Sequence, residues 1–436
     1  MQPLSLYSLP SPGNDIIKQL KKGNIDVYSA RFYNQPQIHN GFIKFIHRTK
    51  DKMAFVLEPE FKGKNFYHVT NPFEHIINNR GERTDIATYS KLYFGIDDGI
   101  LNITSRAFFK LWEILMVFDT MPKKGSVVTA HLAEAPGSFV QATMFYREKF
   151  FKEKDTSKDE HFTISLDDPD VPAFKRDFRK AYKKVKIYEQ DGGDLTNIQS
   201  INKFNKFSKK ADFVTADGGF EWKDENYQEQ EAYRLILGEI ITALKIQKEG
   251  GTFVLKLFEV YTDVSIKMLS ILSALYDKTY MFKPYTSRPS NSERYMVCKG
   301  FKGTDNTLIS KLEELLQDMN NIESGEEFII DFLRDFTINE PYRHAHNVAS
   351  IMTSSTQFTA INRMVAYVHS NNFYGDEYHK YLREQQDAND YWARTFYPID
   401  NNDLAVVQKD LDKLSKSSLN KTNKEIEDYV SSLYVN

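Results

Sequence analysis

Between about residue 96 and residue 302 the chain alternates short apolar, β-branched runs with longer helical patterns, and that rhythm leaves few folds open. Strands separated by helices build an open, mostly parallel sheet with helices on its faces. Strand-like runs lie at 127–133, 161–166, 185–188, 212–216, 252–258, 279–284 and 294–299. Helical patterns fill 105–119, 139–151, 173–184, 228–247 and 263–275. Only the polar turn SRPSNSE separates the last two strands, too short for a right-handed crossover, so the final strand is expected to be antiparallel.

A chain of 436 residues has room for two or three domains. The division expected is an α+β N-terminal extension over 1–95, the α/β domain over 96–302 and a helical extension over 303–436. The first zone carries strand-like runs at 54–57 and 66–69. The last carries helical patterns at 308–319 and 326–336, then an aromatic-rich run to Tyr397 and a Lys/Ser/Asn-rich tail from Lys409 ending in a short amphipathic helix. With 41% apolar and 27% charged residues, a wholly disordered chain is excluded. No apolar run approaches the ~20 residues that cross a bilayer, and the N-terminus has neither a basic start nor an apolar core, so neither a membrane anchor nor a secretory leader is expected. A single cysteine, Cys298, excludes a disulfide framework and a cysteine zinc cluster and points to a reducing compartment. A net charge of −3 does not by itself call for a nucleic-acid partner; local patches decide that.

In such a sheet, ligands bind beyond the carboxyl ends of the strands. Glu134-Ala135-Pro136-Gly137-Ser138 ends the first strand, where Gly137 lets a ligand approach the backbone and the next helix offers unpaired N–H groups. It is not GxGxxG, so it suits a nucleoside with a small charged group rather than a pyrophosphate. Asp217 ends the fourth strand, as a functional carboxylate or as a turn cap. Lys256 sits among Val254, Leu255, Leu257 and Phe258. A lysine inside a buried strand is costly unless paired, the alternative being an edge strand from which the stem snorkels to water. Glu293 opens the last strand, which topology places at the same sheet edge as Asp217.

The motifs SRAFFKL (105–111), EAPG (134–137), TADGG (215–219), VLKLF (254–258) and SRPSNSE (287–293) occur in the order and context of the FtsJ/RrmJ family, which this segment resembles over roughly residues 100–302. The resemblance implies an S-adenosylmethionine-dependent RNA ribose 2′-O-methyltransferase with a Rossmann-like sheet. TADGG and SRPSNSE look most like the mRNA cap branch and its relatives in large DNA viruses. Ser138 stands where many members carry a second glycine. The family's Lys-Asp-Lys-Glu tetrad carries over to Lys110, Asp217, Lys256 and Glu293. The chemistry agrees: a ribose hydroxyl is a poor nucleophile, so the protein must place it in line and help remove its proton. A lysine does so as a base only if its pKa falls, which burial and a second cation, here Lys110, promote. Cofactor contacts are expected from Glu134, Ala135, Pro136, Gly137, Ser138 and Phe139 and from Asp217 beside Lys256, with Asp194 near the adenine and Asp167 near the ribose hydroxyls.

RNA phosphates beside the target ribose would meet Arg106, Lys283, Arg288 and Arg294, which flank the tetrad. A basic run at 175–186 is read as a solvated helix face. His344 and His346 do not make a ligand set, and no metal site is expected. The expected substrate is the capped 5′ end of mRNA, methylated on the first transcribed nucleotide; the same chemistry on ribosomal or transfer RNA, and a non-catalytic RNA-binding scaffold of the same fold, are the alternatives. The long terminal additions favour the first. Other capping or transcription proteins would dock on the C-terminal region, and the expected compartment is the cytoplasm, a viral factory or virion included, with the nucleus open.

Overall fold

The computed structural model describes residues 3–23, 25–36, 39–56, 58, 69–74, 92–95, 103–219, 222–322, 326–370 and 375–434. Its main sheet has eight strands: β1 (Ser5–Leu9), β3 (Val128–Leu132), β4 (Glu160–Ile164), β5 (Val185–Tyr188), β6 (Ala211–Ala216), β7 (Gln247–Leu257), β8 (Tyr276–Lys283) and β9 (Arg294–Phe301). The spatial order is β1-β8-β9-β7-β6-β3-β4-β5. Strands β7, β6, β3, β4 and β5 pair in parallel, while β9 runs antiparallel between β7 and β8. This is the Rossmann-like arrangement expected, antiparallel last strand included. The polar turn between β8 and β9 allows only a hairpin.

The departures lie outside this segment. Strand β1 comes from the first ten residues and pairs antiparallel with β8, widening the sheet by a strand that the sequence patterns did not mark. Residues 54–56, read as strand, belong to the helix Met53–Val56, and most of the run at 66–69 lies outside the described residues. The pattern at 326–336, read as helix, contains strand β10 (Phe328–Phe332), which pairs with β2 (Val27–Ala30). Its Phe-Ile-Ile-Asp-Phe is short, aromatic and β-branched, and a partner strand from far away in sequence decides such a run. The tail forms one long helix, Asn401–Leu433, and not a short one.

Two apolar layers sandwich the sheet. One is dominated by the helices Tyr233–Ile246, Asp263–Ala274 and Asn306–Asn321. The other is built on the helix Ala107–Val117, whose Phe108, Phe109, Leu111, Trp112 and Ile114 are wholly buried. That helix reads as apolar all round because it is covered on every side: by the helix Ser138–Phe150, by the sheet, and by Trp392 and Phe396 of the helix Asp376–Phe396. Lys110 is its one lysine, so where this helix is clamped determines where that ammonium stands.

Candidate active site

Register brings the four tetrad residues to one edge. Ala216 pairs with Leu255, so Asp217 and Lys256 are each the next residue along their parallel strands, and Lys256 pairs across to Tyr295 on β9. Strand β7 lies between β6 and β9, which removes the edge-strand explanation for Lys256. Lys256 Nζ donates to the Asp217 carbonyl oxygen at 2.8 Å and lies 3.3 Å from its carboxylate. From the helix Ala107–Val117, Lys110 Nζ meets both Glu293 oxygens, at 2.7 and 2.9 Å. The Tyr295 hydroxyl joins the two pairs, 3.1 Å from Asp217 Oδ1 and 3.5 Å from Glu293 Oε1. Ser287 donates to Glu293 Oε1 at 3.1 Å. All four tetrad side chains keep between 12% and 18% of their surface exposed, so they are dry enough to feel one another and open enough to meet a substrate.

Burial disfavours the Glu293 carboxylate, yet Lys110 and Lys256 overcome it and hold the group down at about 2. Burial also pulls on Lys256, but Asp217, Glu293 and Glu239 outweigh it, and its pKa lies above the ordinary lysine value. That corrects the expectation of a depressed lysine: in this state the carboxylates, not Lys110, dominate its field. Lys283 does behave that way, pushed down to about 7 by burial first, with Arg294 and Lys110 adding and Glu293 opposing.

Sequence patterns missed Glu239, Tyr295 and Ser287. Glu239, on the helix Tyr233–Ile246, reaches under the Asp217 turn, where its Oε1 accepts the Gly218 N–H at 3.0 Å. A Cβ at Gly218 would stand 2.3 Å from that oxygen, so only glycine fits. Burial pushes Glu239 up to about 8. An acid inside an otherwise apolar helix, Leu-Ile-Leu-Gly-Glu-Ile-Ile, was the available signal.

The turn after β3 is equally specific. Gly137 has φ +110°, and a Cβ there would lie 2.4 Å from the Phe178 ring. Glu134 is buried; its Oε1 accepts the Val140 N–H at 2.8 Å, capping the helix Ser138–Phe150, and burial holds its carboxyl well above the usual range. Ser138 pairs with Ser105 at 2.6 Å, and Phe139 is turned into the core against Tyr295, so neither side chain is a free contact. Beside the turn a cleft of about 450 Å³ opens at the ends of β3, β4 and β5, walled by Ala135, Leu166, Phe174 and Ile187 with Asp167 at its rim. Leu166 is 41% exposed there, apolar surface of the kind a flat base covers. Asp194 does not line it: its Oδ1 accepts the Thr196 N–H at 2.8 Å, and both its oxygens meet the Thr196 hydroxyl.

The four basic RNA candidates separate. Arg294 is 1% exposed and donates to the Phe258 carbonyl and to Ser350, so it points beneath the edge and not toward a substrate. Lys283 donates to Ser287, to Glu293 O and to Asn291, which makes it a pin for the SRPSNSE turn and not a phosphate ligand. Arg106 and Arg288 remain at the surface of the edge, 21% and 36% exposed.

Comparison with known proteins places this geometry. The FtsJ-like methyltransferase family matches residues 103–301. A cap-specific mRNA (nucleoside-2′-O-)-methyltransferase 1 of Mus musculus is 36% identical over 151 residues, 32% of this chain and 18% of that protein. The enzyme of the same name in Trypanosoma cruzi is 33% identical over 212 residues, 48% of this chain and 57% of that protein. An uncharacterized protein of Acanthamoeba polyphaga mimivirus is 31% identical over 230 residues, 49% of this chain and 28% of that protein. The chain thus spans less than two thirds of the length of these relatives, and the viral match stands beside animal and kinetoplastid ones without singling out a viral source. The segment that matches the FtsJ-like methyltransferase family, residues 103–301, holds all four tetrad residues.

Proposed function

We propose that this protein is an S-adenosylmethionine-dependent RNA ribose 2′-O-methyltransferase that acts on the capped 5′ end of mRNA, on the first transcribed nucleotide. The observation that carries the reading is the convergence of Lys110, Asp217, Lys256 and Glu293, linked through Tyr295, at the carboxyl edge of the sheet that also bears an open cleft with apolar walls. The names of the relatives support the cap as substrate. No described helix is long and apolar enough to cross a membrane.

The cleft suits the methyl donor's adenosine: apolar walls for the base and the Asp167 carboxylate for the ribose diol. S-adenosylmethionine, when bound, supplies an activated methyl on a sulfonium. Lys256 and Asp217 hold the 2′-hydroxyl, with the ammonium donating toward its oxygen. Glu293, ionised between two lysines, fixes Lys110 and keeps Lys256 from swinging away. When the hydroxyl is methylated its proton must leave, to Lys256 in its neutral form or to solvent. Lys256 can take it only after losing its own, and a positive charge brought alongside pushes in that direction. Trp392 donates to Glu113 at 3.0 Å and to this extent the C-terminal helices brace the lysine-bearing helix.

The test is transfer of a labelled methyl to matched capped and uncapped short RNAs, followed by mapping of the modified sugar. Methylation of the first ribose only when the cap is present supports the reading; transfer to ribosomal or transfer RNA in preference overturns its cap specificity, and RNA binding without transfer to any RNA overturns the enzyme.

A further inference from the structure

A carboxylate from outside the matched domain stands at this edge. Glu74 belongs to the described segment 69–74, and both its oxygens are engaged by the two surface arginines. Arg288 binds it in fork fashion, Nε to Oε2 at 3.0 Å and Nη2 to Oε1 at 2.5 Å. Arg106 Nη1 lies 2.5 Å from Oε2, and Asn71 Nδ2 donates to the same oxygen at 3.0 Å. Arg106 also donates to Thr286 O at 3.0 Å. Glu74 is itself only 10% exposed, and although burial opposes ionisation, the two arginines hold its carboxyl below the usual range.

Two features make this more than a surface ion pair. Arg106 precedes Lys110 by about one helical turn, and Arg288 shares the SRPSNSE turn with Glu293, so Glu74 joins the two elements that deliver one tetrad pair. Two guanidinium groups left without it would repel one another and splay. Held by one carboxylate they converge, and the group of three carries a single net positive charge, which matches one phosphodiester.

We propose that Glu74 is a positioning residue for the substrate: it gathers Arg106 and Arg288 into one unit that receives a backbone phosphodiester beside the target ribose. The inference rests on the reading of the protein as an RNA methyltransferase, and it assigns to the N-terminal region a part in substrate binding.

The experiment compares wild type with Glu74→Gln and Glu74→Asp by fluorescence anisotropy of a labelled capped oligoribonucleotide over a range of salt, alongside methyl transfer to the same RNA. In E74Q both arginines keep their charge but lose their anchor. RNA affinity at physiological salt is expected to fall about tenfold, the scale of one charge-assisted hydrogen bond. The dependence of log K on log salt is expected to become shallower by about 0.7, because the splayed arginines no longer neutralise that phosphate. Partial unfolding would instead weaken binding of the methyl donor as well, which E74Q is expected to retain. E74D, which keeps the charge, recovers most of the affinity. Affinity in E74Q equal to or tighter than wild type overturns the proposal, since Glu74 would then merely quench the arginines. Absence of any RNA methyl transfer by wild type removes the underlying reading, and that result is read from the wild-type protein alone.

Discussion

Replacing Glu293 by glutamine removes one negative charge from between Lys110 and Lys256 while keeping the side chain's shape. The carboxyl stands at about 2 against an ordinary 4.5: burial resists its ionisation, and Lys110 and then Lys256 more than reverse that. At 1.36 kcal/mol for each tenfold change in proton affinity, the displacement corresponds to about 3 kcal/mol of stability. Breaking a largely buried pair from one side costs about 3–5 kcal/mol, which agrees. With 16% and 12% of the two side chains exposed, solvent screening removes little of it. Because the folded protein binds this proton more weakly than the unfolded chain, the stabilisation is complete above about pH 4.5 and is lost as pH falls toward 2. E293Q is therefore expected to be about 3 kcal/mol less stable than wild type to urea near pH 7, with the gap narrowing by about 1 kcal/mol near pH 4. Equal stability near neutrality, or a gap that does not shrink with acid, would refute the claim that this carboxylate is ionised by its two lysines.

Glu239 works in the opposite sense. Its carboxyl, pushed up to about 8, costs the fold progressively more as pH rises from about 4.5 to 8, so E239Q, which retains an acceptor for the Gly218 N–H, should gain on wild type across that window; urea titrations at pH 5 and 8 that show a constant difference would contradict it. Gly137→Ala places a methyl 2.4 Å from the Phe178 ring at φ +110°, an expected loss of about 2–4 kcal/mol by denaturation, and a second change, Phe178→Leu, should restore the clash component but not the backbone component. Lys256→Ala should lower methyl transfer about 100- to 10,000-fold, measured with saturating donor and RNA; unaltered transfer removes Lys256 from the chemistry.

Strands β3 to β9 were legible because each is a short apolar run bounded by Gly, Pro or acid, and the parallel order fixed which ends share an edge. That was enough to put Glu293 at the edge of Asp217; Lys110 and Lys256 joined them through the family resemblance. What was not legible depends on partners distant in sequence. Nothing local distinguishes Ser5–Leu9 as a sheet strand; its pairing with β8, more than 260 residues away, does. The stretch around β10 is apolar enough for helix or strand, and β2 decides between them. Arg294 and Lys283 illustrate the same limit for side chains. Both flank Glu293 along the chain, yet alternation across β9 turns the first beneath the sheet, and the carbonyls of its own loop claim the second.

Four acids surround the Lys256 ammonium or the turn beside it, and they do not act alike. Lys110 and Lys256 keep Glu293 ionised, and Asp217 sits within 3.3 Å of Lys256. Glu239, pushed up to about 8 by burial before any other cause, is instead kept neutral near pH 7, and burial likewise holds Glu134 well above its usual range. Had all four been charged, Lys256 would face a field from which no approaching cation could release its proton. Had none been, neither lysine would stay in a site this dry. The negative field at the two lysines is set by Glu293, with the Asp217 side chain 3.3 Å from Lys256. Lys256 is held by its bond to the Asp217 carbonyl oxygen and by the field of Glu293, and a cation brought alongside works against that field.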